Sequence, residues 1–115
     1  MNYIKVSDTI SGSFAVATED GQKIFDLLER SLSDKLKVDL DFEGIHVMTT
    51  AFLNAAIGQL YSKFTTVEIK PYLHLIHVAD DDKILFKIVT SRAKEYFAQR
   101  EISDSKSDEA LYGKD

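Results

Sequence analysis

The 115-residue chain contains no cysteine, which excludes disulfides, thiolate metal sites and thiol catalysis. No stretch approaches the roughly 18 uninterrupted apolar residues that a bilayer-spanning helix needs. The opening residues, Met1 to Asp8, lack a basic segment followed by an apolar core. No membrane association is therefore expected, and the cytoplasm is the default location. Basic residues are in deficit, 14 against 19 acidic ones, and the net charge of −5 repels phosphate backbones. Nucleic acid is not an expected partner. Gly12, Gly21, Gly44 and Gly58 form neither a P-loop nor a dinucleotide fingerprint, and no internal repeat is visible.

What is present is an ordinary globular composition, 44% hydrophobic and 29% charged, with a length suited to one domain. Tyr3 to Val6 and Phe14 to Ala17 read as two short strands around Ser11-Gly12-Ser13, which suggests an N-terminal hairpin. Acidic residues follow Thr18, and Ile24, Phe25, Leu28 and Leu32 then recur at helical spacing to about Ser33. Lys37 to Phe42 alternates, with Val38, Leu40 and Phe42 on one face and Asp39 and Asp41 on the other. A helix is expected from about Thr50 to Lys63. Thr65 and Glu68 have capping-box spacing, predicting one helical turn before Pro71, and a strand then falls on Tyr72 to Val78. Asp80-Asp81-Asp82 opens a last helix with Leu85, Ile88, Val89, Arg92 and Tyr96 on one face.

The fold class is thus α/β: a mixed, largely parallel sheet of four to five strands covered by about four helices, in the order β-β-α-β-α-(short α)-β-α. Residues 1–100 form the domain. Residues 101–115 are too polar to bury much and read as a mobile tail, with Leu111 and Tyr112 the only hint of docking.

The helix after Thr49 carries the least expected pattern. Leu53, Ile57, Leu60 and Phe64 form the stripe that faces the sheet, and the opposite stripe is Ala51, Ala55, Gly58 and Ser62. Small residues there offer either a docking face for a partner or a seat for another helix of the domain. Thr49 or Thr50 at the helix start is sufficiently explained by capping, worth about 1 kcal/mol.

Val38-Asp39-Leu40-Asp41-Phe42-Glu43-Gly44-Ile45, followed by Thr49-Thr50-Ala51-Phe52-Leu53, resembles the central strand and helix of STAS domains, and more closely the STAS-like domain family of unknown function. The resemblance extends through Arg92-Ala93-Lys94-Glu95-Tyr96-Phe97. It implies a non-enzymatic regulatory module, similar to bacterial anti-sigma-factor antagonists, whose protein partner is a histidine-kinase-type ATPase. In such antagonists a serine at this helix start is phosphorylated; Thr50 is the matching hydroxyl and Thr49 stands in place of an aspartate. The expected contact residues are Thr49, Thr50, Phe52, Ala55 and Gly58, with Phe52 as exposed anchor. A homodimer through the same patch is a further expectation.

Catalytic and metal-binding signals are weak. Asp39 and Asp41 share a strand face but have no third ligand at metal spacing, so a structural role is expected. His74 and His77, three apart on a strand, should point to opposite faces, and His46 is solitary. No metal and no cofactor are expected. The alternative function is a small-ligand or nucleotide sensor, or a small enzyme, with its pocket beyond the carboxyl ends of the strands near Glu43, His46 and Thr49.

Overall fold

Residues 2–111 are described by the computed structural model, with side chains described for residues 2–98. In chain order the elements are β1 (Asn2–Lys5), α1 (Val6–Thr9), β2 (Phe14–Ala15), α2 (Thr18–Ser33), β3 (Val38–Asp41), β4 (Val47–Met48), α3 (Thr50–Ala56), a 3-10 turn (Gly58–Ser62), α4 (Thr66–Ile69), β5 (Leu73–Ile76) and α5 (Asp80–Leu111). The side chains of the expected polar tail, and Tyr112 entirely, lie outside the described residues.

The strands divide into two parallel sheets, one of three strands in the order β1-β3-β5 and one of two, β2-β4. The expected N-terminal hairpin is therefore corrected. β1 pairs with β3, Asn2 opposite Val38, while β2 pairs with β4, Phe14 opposite Val47. The cause lies in Val6, read as a strand end: it opens α1 instead and buries its side chain completely, turning the chain out of the β1 line before β2 begins. A single sheet of four or five strands is corrected by the same observation.

Register puts Tyr3, Lys5, Asp39, Asp41, His74 and Ile76 on one face of the three-stranded sheet. Ile4, Val38, Leu40, Leu73 and Leu75 take the other, against the helices. Phe52, Ile24, Leu28, Leu40, Leu53 and Leu60 are fully buried there. Each such side chain contributes about 1.5–3 kcal/mol of hydrophobic transfer.

α3 sits at the centre of the helical layer. α2 approaches it so closely at Gly21 that a Cβ would lie 2.5 Å from the Phe52 carbonyl oxygen and 2.7 Å from the Ala55 Cβ. Glycine costs α2 about 1 kcal/mol of helix propensity but permits this contact. On another side, Gly58 faces Val89 and Ala93 of α5. The expected continuous helix from Thr50 to Lys63 is broken at Ile57, where the backbone reaches φ −112° and tightens into the 3-10 turn. α5 buries Phe86, Val89 and Ala93, so the expected face is corrected: Arg92 and Tyr96 are exposed. The Thr65–Glu68 capping box is formed in both directions at the start of α4.

Candidate functional site

Thr49 is the N-cap of α3. Its Oγ1 accepts from the Phe52 N–H at 3.2 Å and donates to the Val16 carbonyl at 3.1 Å, so one hydroxyl satisfies the helix end and ties it to the chain after β2. Thr50, the next residue, is half-buried, and its hydroxyl makes no hydrogen bond among the described residues. Thr49 is thus structurally committed while Thr50 is not.

The remaining residues expected at a partner surface lie inside. Phe52 is 0% exposed, Ala55 is 4% exposed and Gly58 is buried. The physical reason is that α2 covers the Ala55 side of α3 and α5 covers Gly58, so the small residues seat helices of the same domain. Among the exposed apolar side chains of the described residues, three lie together on the β2-β4 ribbon and the residue that follows β2: Phe14 is 61% exposed, Val47 43% and Val16 41%. Phe14 and Val47 are register partners, and Val16 is the residue whose carbonyl Thr49 grips. Sequence reasoning missed this strip because an apolar residue in a short β-prone run reads first as core.

A second cluster gathers at the carboxyl end of the three-stranded sheet. Asp41, the last residue of the central strand, is 3% exposed. Tyr3 Oη from β1 donates to its Oδ2, the Glu43 N–H donates to Oδ1 at 2.9 Å, and His77 Nδ1, just past β5, lies 2.7 Å from the same Oδ1. One carboxylate therefore joins all three strands. Burial acts to raise the Asp41 pKa, but the hydrogen bonds from Tyr3, the Glu43 amide and His77 prevail and hold it down to about 2. The Tyr3 phenol is pushed up to about 12, chiefly by its hydrogen bond to Asp41. The hydrogen bond to Asp41, then its charge, raises the His77 pKa.

His77 reaches Asp41 because its backbone is left-handed, φ +57°, a conformation uncommon for a non-glycine residue. The turn swings its ring back onto the face that His74 already occupies. The expectation of opposite faces is corrected: His74 Nδ1 lies 3.5 Å from Asp39 Oδ1, so each aspartate of the strand has a histidine neighbour. Around this pair Glu43 lies 3.8 Å from Lys5 Nζ and 3.9 Å from His77 Nε2. His77 also lines a concavity with Leu75, Val78, Lys83 and Phe86.

Glu43, His46 and Thr49, grouped by the sequence as a pocket, are not joined by hydrogen bonds or ion pairs among the described residues. Glu43 belongs to the Asp41 cluster, Thr49 caps α3, and the His46 N–H bonds the Ser13 carbonyl on the ribbon. Among the described residues no group of three or more histidine or carboxylate side chains could hold a metal ion, and no helix is long and apolar enough to cross a membrane.

No curated protein and no solved structure matches the chain. A family profile described as "STAS-like domain of unknown function (DUF4325)" matches residues 20–83, from the first turn of α2 into the first turn of α5. That span holds Asp41, Glu43 and His77, Thr49 and the whole of α3 with Thr50, more than half of the sequence, and the chain belongs to this STAS-like family.

Proposed function

We propose that the chain is a non-enzymatic regulatory module that docks a protein partner through the β2-β4 ribbon and the start of α3, with Thr50 as the phospho-acceptor. The reading rests on the exposed apolar strip of Phe14, Val16 and Val47, tied by Thr49 to the first turn of α3. Exposed apolar side chains in contiguous register are the usual mark of an interaction surface, and a large aromatic such as Phe14 is the natural anchor. A phosphate on Thr50 would bring roughly −2 charge beside that strip and oppose an acidic partner. By resemblance to antagonists of the STAS type, the partner is a histidine-kinase-type ATPase.

Affinity capture from the native cell, using the wild-type chain, Phe14→Asp and Thr50→Asp, tests this reading. A kinase-type ATPase retained by the wild type and lost from both variants supports it; equal retention by all three overturns it. Circular dichroism establishes that the variants are folded. Incubation of the wild-type chain with that partner and ATP should add one phosphate by intact mass, and Thr50→Ala should receive none. Sedimentation of the purified chain distinguishes a second copy on the same strip.

The Asp41 cluster favours a second reading, a small-ligand sensor at the carboxyl ends of parallel strands, where open α/β sheets bind ligands. A thermal-shift screen against nucleotides and metabolites, repeated with His77→Gln, tests this second reading: stabilisation of the wild type that His77→Gln loses supports a ligand at the Asp41 cluster, and stabilisation equal in both overturns it.

A further inference from the structure

In a chain with a surplus of acidic residues, one opening is lined by two lysines that have no carboxylate partner among the described residues. It lies between the 3-10 turn, α4, β5 and α5, with a volume of about 220 Å³. Its floor is apolar, made by Ile57, Ile69, Leu73 and Leu75, and Leu75, which is 39% exposed, also lines the concavity beside His77. Lys70 and Lys94 stand at the rim, both exposed, and neither forms an ion pair among the described residues. By contrast Lys63, which lines the neighbouring hollow, is held by Glu29.

Tyr61 separates the two hollows and lines both. Lys94, which also lines both hollows, has its Nζ over the face of the Tyr61 ring, 5.8 Å from its centre. The Tyr61 phenol, protonated near neutral pH as an ordinary tyrosine is and pushed further up by burial, is able to donate.

We infer that this hollow binds a small amphipathic anion, with its carboxylate or phosphate head on Lys70, Lys94 and Tyr61 and its short aliphatic body on Leu73, Leu75 and Ile57. An apolar molecule without charge would leave the lysines as they are, in water. A simple inorganic anion would gain the lysines but leave the floor uncovered. Only a ligand with both parts uses what the site offers. The site is separate from the docking strip and does not depend on it.

Calorimetric titration of the full chain with hexanoate, hexyl phosphate and hexylamine tests the inference. Saturable binding of either anion, with none of the amine, is the expected result, and the tighter of the two anions identifies the head group. Lys94→Gln and Lys70→Gln should each weaken that anion about tenfold, the worth of one charged hydrogen bond. Both side chains are exposed, so unchanged melting of the unliganded variants establishes that folding is intact. Absence of saturable binding by both anions, equal binding of hexylamine, or undiminished affinity in the double variant overturns the inference.

Discussion

His77 Nδ1 and Asp41 Oδ1, 36 residues apart in the chain, meet at 2.7 Å across the carboxyl end of the sheet. Because Tyr3 holds the other oxygen of the same carboxylate, Asp41 acts as a clamp on β1, β3 and β5 together.

Asp41→Ala leaves the Tyr3 hydroxyl, the Glu43 amide and His77 without their acceptor. Hydrogen bonds to a charged group contribute about 1.5–3 kcal/mol, and loss of this acceptor should destabilise by about 3 kcal/mol in urea unfolding. Asp41→Asn keeps the shape and one acceptor oxygen, and should cost less.

The clamp should also make stability depend on pH in two directions. The pKa of His77 is raised in the folded state, so its contribution is full below the unfolded value of about 6.5 and is lost as pH rises through the folded value. The pKa of Asp41 is depressed, so its contribution is present above the ordinary value of 3.8 and is lost as pH falls towards about 2. Thermal melts of the wild type should therefore decline as pH rises from about 6.5 through the folded value of His77. In His77→Gln that decline should be absent.

Gly21 and Gly58 should respond oppositely to alanine. At Gly21 the new Cβ meets the Phe52 carbonyl at 2.5 Å, and backbone cannot yield cheaply; overpacking should outweigh the gain in helix propensity and cost about 1–3 kcal/mol. Ala55→Gly removes only the 2.7 Å contact, so it should not restore Gly21→Ala fully. At Gly58 the nearest atom is 3.5 Å away, ordinary contact distance, and alanine should be neutral or stabilise by about 0.4–1 kcal/mol. Urea midpoints of the three variants decide it.

Phe52→Ala, in a fully buried position, should cost about 3–5 kcal/mol. Phe14→Ala, at 61% exposure, should change stability by no more than about 0.5 kcal/mol. The same denaturation series measures both.

Thr49→Ala should lose about 1 kcal/mol with the cap, and Thr50→Ala markedly less. Equal losses would show that both hydroxyls serve the helix end.

Local periodicity made α2 legible over Thr18 to Ser33, and paired side-chain signals made the α4 capping box legible. Phe52 was not legible in the same way. A helix with one buried stripe leaves its flank in water, but α3 is enclosed by the sheet, α2 and α5, so Phe52 lies inside though it is off the main stripe. The Asp39-Asp41 pair was visible as two acids on one face, whereas its histidine partners were hidden by the left-handed φ of His77, where strand alternation ends. The β2-β4 pairing was illegible because two-residue strands carry almost no period.

The parallel pairings carry a kinetic consequence. Asn2 pairs with Val38, Val38 with Leu73 and Phe14 with Val47, so among the described residues no sheet contact can form as a local hairpin. Loop closure over such separations must precede its reward, and folding should wait on the packing of α2 against α3. Gly21, where those two helices touch, then becomes a position at which a single methyl group should slow refolding as well as weaken the folded state.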